Sequence, residues 1–266
     1  MTNKVRYIRM LGVNPLVTVV IPSFNHAKFI GACIESVIAQ DYKNIELIII
    51  DDGSSDNSLS VIERYESLCR DRFSNFLVRG RPNKGLSATL NEALELSKGE
   101  FFSPIASDDE MLPYKISTQV KEMSANPNFS ACFGGVEMID EESNVKGSKN
   151  RSRVTYDFDA VIMREANIMA PTAMMRTDHI RSIGGYKSGV VTEDFYMWLK
   201  LTSRGGKLLH SGKILSKYRD HGENISKNKE LLWDSIRQCI LDYKDKPVFN
   251  KAYAKSLFFY AYDLQK

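Results

Sequence analysis

The chain has 266 residues, of which 43% are hydrophobic and 26% charged; this ordinary globular composition excludes intrinsic disorder and a disulfide-stapled miniature. Its longest uninterrupted apolar run, Leu257 to Tyr262, falls far short of the ~18 residues a bilayer-spanning helix needs. The formal net charge of +3 lies wholly in residues 227 to 266, which hold eight Lys/Arg and five Asp/Glu and leave 28 of each elsewhere.

The first hundred residues alternate β-branched runs with helical spacing, the pattern of βαβ units around a parallel sheet. Val17 to Ile21 reads as a strand covered on both faces, stopped by Pro22-Ser23-Phe24-Asn25. Phe29, Ile30, Cys33, Ile34, Val37 and Ile38 recur at helical spacing, so a helix is expected from about His26 to Gln40. A strand over Ile45 to Ile50 runs into Asp51-Asp52-Gly53, and Asp56 is the expected cap of a helix reaching Cys69. A third strand over Asn75 to Arg79 leads through Asn83-Lys84-Gly85 into a helix ending at Lys98-Gly99. A fourth, Glu100 to Ile105, runs into Ala106-Ser107-Asp108-Asp109.

Beyond Pro113 the alternation fades. A helix is expected over Tyr114 to Ala125, a strand over Phe129 to Gly134, a mobile polar loop over 143 to 153 and a strand over Ala173 to Arg176. Thr177 is the expected cap of a short helix, and another opens at Thr192-Glu193-Asp194. Two short strands over Lys207 to His210 and Ile214 to Tyr218 precede Arg219-Asp220-His221, and a helical tail starts near Asn228. Cys33, Cys69, Cys132 and Cys239 are far apart and form no CxxC pair, which fits buried thiols rather than zinc. No signal-peptide apolar stretch follows Lys4, Arg6 and Arg9.

Three polar or acidic clusters thus follow strand carboxyl ends, around Ser23, Asp52 and Asp108, at the edge where open parallel sheets bind ligands. Neither GxGxxG after the first strand nor GxxxxGK[ST] anywhere is present. Carboxylates attract a diphosphate only through a divalent cation, so a metal-dependent nucleotide site is expected.

The segments VTVVIPSFNHAKFI through IDDGSSDNS, NKGLSATLNEAL, GEFFSPIASDDEMLP, TEDFYMWLKL and YRDHGENIS together resemble a family-2 glycosyltransferase of the GT-A type, over roughly residues 16 to 226. The resemblance implies a Rossmann-like α/β fold, a central mainly parallel sheet flanked by helices, with a donor half over about 16 to 112 and an acceptor half over 113 to 226. Residues 227 to 266 form the helical C-terminal extension of that 1 to 226 domain. It implies inverting transfer of a sugar from a nucleotide diphosphate, UDP most commonly, to a hydroxyl of a glycan or lipid-linked saccharide in polysaccharide assembly.

Carried over residue by residue, Pro22, Ser23 and Phe24 lie against base and ribose, Asp52 bonds the base, and Lys84 meets phosphate or solvent. Asp108 or Asp109, with His221, holds Mn²⁺ or Mg²⁺; Asp108 also belongs to the donor site. Asp194 is the catalytic base, with Glu193 and Trp198 toward the acceptor. Arg219 approaches the diphosphate or pairs with an acid. Ala106 replaces the first Asp of the usual D-x-D-D, a reduced form also found in active relatives. A nucleotidyltransferase would need a Gly-rich phosphate loop where Pro22-Ser23-Phe24-Asn25 stands, and a non-catalytic sugar-binding module leaves Asp194 unexplained.

No nucleic-acid partner is expected. The place of action is the cytoplasm, including the inner face of the cytoplasmic membrane. The tail carries eight aromatics among its lysines; membrane contact, packing onto the catalytic domain and self-association all account for that pattern.

Overall fold

The computed structural model describes residues 14–166, 168–222 and 227–264; Lys4, Arg6, Arg9 and the 223–226 part of YRDHGENIS lie outside them. The strands are β1 (Val17–Ser23), β2 (Ile45–Asp51), β3 (Asn75–Gly80), β4 (Phe101–Pro104), β5 (Glu110–Met111), β6 (Phe129–Ile139), β7 (Val145–Lys149), β8 (Val154–Tyr156), β9 (Met174–Arg176) and β10 (Lys207–Arg219). The α-helices are α1 (Ile30–Ile38), α2 (Ser58–Arg64), α3 (Glu66–Arg72), α4 (Leu86–Leu96), α5 (Lys115–Ala125), α6 (Phe158–Ile162), α7 (Thr177–Ser182), α8 (Glu193–Ser203), α9 (Lys229–Leu241) and α10 (Phe249–Leu264).

All the strands join one sheet of order β3-β2-β1-β4-β9-β6-β10-β5, with β7 on β6 and β8 on β10. The first half is wholly parallel, as the βαβ pattern requires. In the second half β9 runs antiparallel to both β4 and β6, while β10 is parallel to β6.

Alternation along the strands divides the core in two. Val17, Val19 and Ile21 face a cluster completed by Ile34 and Val37 of α1 and Ile116 and Val120 of α5. Val20, Ile48, Ile50 and Phe102 face the other side, under Leu90 of α4, Leu199 of α8 and Ile236 of α9. Each such side chain contributes roughly 1.5–3 kcal/mol by leaving water. Lys115 is fully buried beneath the sheet, its ammonium donating to Ser103 Oγ (2.7 Å) and the Ala173 carbonyl (3.2 Å). Burial pushes its pKa down to about 7.

Several expectations are corrected. Residues 145–149 are not a loop but β7, antiparallel to β6; all five are exposed, so no apolar alternation marks the strand. The helix expected from Asp56 to Cys69 breaks at Tyr65 into α2 and α3. The Asp56 carboxylate accepts from the Ser58 amide and also from that of Ala27. The Thr177 hydroxyl does not cap α7 and instead donates to the Gly99 carbonyl. The two strands expected after Lys207 are one, β10, irregular between His210 and Ile214.

The tail belongs to the core beside α8: Trp233, Ile236, Cys239, Ile240, Tyr243 and Ala252 are buried there. Phe258, Phe259 and Tyr262 stay exposed on α10. Among the described residues, no helix is long and apolar enough to cross a membrane.

Candidate active site

The carboxyl ends of β1, β2 and β4 open into a cavity of about 480 Å³, lined by Pro22, Ser23, Phe24 and Asp52 on one side and by Asp108, Asp109, Tyr218 and His221 on the other. That volume suits a nucleotide-sized ligand. Phe24 is 46% exposed, an aromatic face available for stacking on a base.

Asp52 is nearly buried, and its carboxylate organises the loop opposite. It pairs with the Arg81 guanidinium and accepts from the backbone N–H groups of Lys84 and Gly85, both at 2.8 Å. Arg81 is held on its other side by Glu92 at 2.7 Å. Gly53 makes the close approach possible: it has φ +78°, and a Cβ there would lie 2.7 Å from the Asn83 nitrogen. Three of the roughly four lone-pair positions of the carboxylate are thereby used. Asp51 is turned to its own loop, accepting from the Ser54 amide and hydroxyl and from Ser23. The Lys84 side chain is exposed and lines the wider groove beyond the cavity.

Asp108 and Asp109 point different ways, Asp108 from within a turn that the Asp109 amide closes onto the Ala106 carbonyl at 3.1 Å, not from the extended segment expected. Asp109 Oδ1 accepts the Arg219 backbone N–H at 2.8 Å. Burial, followed by the charge of Asp108, pushes its pKa well above the usual range. Asp108 Oδ2 lies 2.9 Å from His221 Nε2, while its buried Oδ1 has no hydrogen-bond partner. A buried carboxylate oxygen without a partner is costly, and a cation at this point would satisfy it. His26, from the loop after β1, completes the group: one nitrogen from each imidazole and one Asp108 oxygen lie within 4.8 Å of one another.

Arg219 locks this arrangement. It is 1% exposed, and its side chain donates to the carbonyls of Asp108, Asp140 and Glu141, to Glu110 and to Ser143. The pairing with an acid is therefore realised with Glu110 at 2.8 Å, and the guanidinium shapes the loop that carries Asp108.

Asp194 sits in the first turn of α8. A smaller chamber of about 170 Å³ contains Glu193, Asp194 and Trp198, and shares Pro22, Leu86, Ala106, Asp109 and Tyr218 with the first cavity. The two chambers therefore adjoin, with Pro22, Leu86, Ala106, Asp109 and Tyr218 between them. Burial raises the Asp194 pKa, opposed by the Phe195 amide at 2.6 Å and by the Arg164 charge. Burial and the neighbouring Asp194 push Glu193 up to about 8. Trp198 is buried edge-on against Phe133 at 4.6 Å, its Nε1 without a partner.

His26, Arg81 and Arg164 escape sequence reasoning. His26 and Arg81 stand in unremarkable loops, and Arg164 reaches Asp194 only through the turn after α6, where its φ is +53°. The His-Ala-Lys run beside a strand end is the only sequence signal for the first, and the Arg81-Pro82 turn entry for the second.

The model of glycosyl transferase family 2 matches residues 18–184, and the chain belongs to that family. It is 31% identical over 216 residues to the Escherichia coli UDP-Glc:alpha-D-GlcNAc-diphosphoundecaprenol beta-1,3-glucosyltransferase WfgD, covering 80% of this chain and 81% of that protein. An uncharacterised glycosyltransferase of Rickettsia conorii is 30% identical over 234 residues, covering 83% of this chain; the match spans only 38% of that longer relative. Among solved structures, Staphylococcus aureus TarS 1–349 with UDP-GlcNAc superimposes with a TM-score of 0.70 at 19% identity, over 91% of this chain and 71% of that one. The Pyrobaculum calidifontis mannosyltransferase PcManGT, in complex with GDP-Man and Mn²⁺, gives 0.68 at 16% identity, over 95% and 79%. Both share the GT-A fold, and the chain is a glycosyltransferase.

Proposed function

We propose that this protein is an inverting, metal-dependent glycosyltransferase that moves a sugar from a UDP-linked donor to a hydroxyl of a lipid-linked saccharide in bacterial surface polysaccharide assembly. The observation that carries the reading is the pair of adjoining chambers, with Phe24, Asp52 and Asp108 in one and Asp194 in the next. For inversion, a base must take the acceptor proton as the hydroxyl attacks opposite the leaving diphosphate. Asp194 fills that role: burial raises its pKa, which makes it a stronger base than an exposed carboxylate. Phe24 and Asp52 hold the base of the donor, and Trp198 with Glu193 bounds the acceptor side. Asp108 and His221 would hold Mn²⁺ or Mg²⁺, which when bound neutralises charge on the leaving diphosphate.

The acceptor assignment draws on the wide groove beside Asp194, rimmed by Lys84, Lys149, Arg164, Lys227 and Lys229 against Glu193, Asp194 and Asp220. This basic excess suits a diphosphate-linked acceptor, the class named for WfgD. Action at the inner face of the cytoplasmic membrane follows, with exposed Phe258 and Tyr262 on α10, beside Lys251 and Lys255, as the contact. Liposome sedimentation checks that contact; binding unchanged by Phe258→Ser with Tyr262→Ser removes it, and concentration-dependent self-association lost in the same variant assigns the face to a second copy.

A screen of UDP-, GDP- and dTDP-sugars with a polyprenyl diphosphate saccharide and Mn²⁺, read by nucleotide release and by the anomeric configuration of the product, tests the function. Turnover of a UDP-sugar, lost with a chelator and lost in Asp194→Asn, is the expected result. Transfer by Asp194→Asn at the wild-type rate removes Asp194 as the base, and a product retaining the donor configuration removes the direct displacement.

A further inference from the structure

We propose that His26 is a direct ligand of the bound cation, making the site two imidazoles and one carboxylate, selective for Mn²⁺ over Mg²⁺; this rests on the metal-dependent reading of the cleft. The acidic pair at residues 108–109 makes the expected site look like a carboxylate site, and carboxylate oxygens suit Mg²⁺ well. The structure arranges the donors differently. Asp109 Oδ1 accepts the Arg219 amide, and Asp109 is not among the groups that converge. The three groups that converge are His26, Asp108 and His221.

Their separations fit one small ion. Donors about 2.1 Å from a common cation lie at most about 4.2 Å apart, and the present limit of 4.8 Å closes to that with a side-chain movement of a few tenths of an ångström each. Asp108 brings one carboxylate oxygen into that group, and its buried Oδ1 has no hydrogen-bond partner. The two imidazoles stand edge to face with centroids 5.8 Å apart.

His26 is also held as a ligand is held. Its backbone N–H donates to Ser58 Oγ at 2.9 Å, and its carbonyl accepts from the Phe29 and Ile30 amides as α1 begins. The preceding Asn25, at φ +53°, accepts from the Ser55 amide through Oδ1, which pins the loop to the segment after β2. On the ring, Nδ1 lies 2.7 Å from Ser107 Oγ. With Nδ1–H donating to that hydroxyl, Nε2 carries the lone pair toward the cation, the arrangement metal-binding histidines use to fix tautomer and orientation. Ser107 thus supports one ligand while its neighbour Asp108 supplies another. Nitrogen donors favour the later divalent ions of the first transition row over Mg²⁺.

The test measures metal directly. Wild type, His26→Ala, His26→Gln, His221→Ala and Asp108→Asn, each checked for native circular dichroism and melting, are titrated with Mn²⁺ alone and with excess UDP, read by the electron paramagnetic resonance of free Mn²⁺. Electron spin echo modulation from nitrogen counts the imidazoles on the bound ion. Two imidazoles in wild type, one in both His26 variants, a tenfold or greater loss of Mn²⁺ affinity there and a smaller loss for Mg²⁺ are expected. Unchanged Mn²⁺ affinity and modulation in folded His26→Ala and His26→Gln, with binding lost in His221→Ala and Asp108→Asn, overturns the role of His26 and leaves the metal reading intact. Absence of Mn²⁺ binding by wild type in both arms overturns both.

Discussion

The hydroxyl oxygen of Ser235, on α9, accepts the backbone N–H of Thr192 at 3.0 Å, and that of Val191 at 2.9 Å. These two amides immediately precede Glu193 and Asp194, so a residue of the tail fixes where α8 begins and where its carboxylates project. Ser235→Ala leaves both amides without this acceptor, at a cost of about 1–3 kcal/mol for a buried group. The expected result is a lower urea midpoint together with a kcat reduced about tenfold by misplacement of Asp194, while the donor KM stays at the wild-type value. Steady-state kinetics at fixed acceptor concentration check the split.

Asp52→Ala removes the acceptor for the Lys84 and Gly85 amides and one of the two carboxylates on Arg81. Breaking a buried ion pair from one side costs about 3–5 kcal/mol; retained Glu92 places this variant toward the lower end. Equilibrium urea unfolding should show that loss, and the donor KM should rise more than kcat falls, because the loop bordering the nucleotide chamber is released. A variant as stable as wild type would mean that the loop holds its shape without Asp52.

Glu193 has a folded-state pKa of about 8 against an ordinary 4.5, raised by burial and by Asp194. Between those values the folded protein keeps a proton the unfolded chain has lost, so stability is full below about pH 4.5 and is lost as pH rises through 8. Glu193→Gln should therefore melt near wild type at pH 5 and progressively above it by pH 8.5, in differential scanning calorimetry. The Asp194 shift comes from burial, opposed by the Phe195 amide and the Arg164 charge, and not from the charge of Glu193. The acid limb of the transfer rate, which rises with pH through the raised Asp194 value, should accordingly stay in place in Glu193→Gln.

Lys115 reverses the sign. Its pKa falls from 10.5 to about 7, so between those values the unfolded chain binds a proton the folded chain lacks, and stability grows with pH. Lys115→Met keeps the length of the side chain and removes the titration. Relative to that variant, wild type should gain up to about 3 kcal/mol between pH 7 and 9.5, measured as the difference in urea unfolding free energy. Parallel stabilities across that range would show that Lys115 titrates like an exposed lysine.

How far the sequence discloses this molecule depends on what each residue is answering to. Val17 to Ile21 and Ile45 to Ile50 are apolar because both sheet faces are covered, save for Thr18 and Glu46, whose side chains hydrogen-bond each other, and their strands are legible at once. The residues Val145–Lys149 carry no such mark, since that strand is held by backbone bonds to β6 with every side chain in water. At the site, the motifs of the family resemblance bring out Asp108, Asp194 and His221, yet the division of labour between Asp108 and Asp109 depends on the Arg219 amide, 110 residues away. His26 enters the cluster only because the turns after β1 and β2 dock on each other. The tail aromatics have a split fate for the same reason: Trp233 and Tyr243 meet the face beneath α8, whereas Phe258 and Tyr262 lie on the outer side of α10.

The grip of Ser235 on the start of α8, with that of Arg219 on Asp108 and Asp109, ties the cavity to the last third of the chain. The ladder of β1, β2, β3 and β4 closes within the first 104 residues, whereas the loop carrying Asp108 and the turn carrying Glu193 and Asp194 take their hydrogen bonds from residues 219 and 235. The C-terminal segment is thus a working part of the cavity wall rather than an appendage to it.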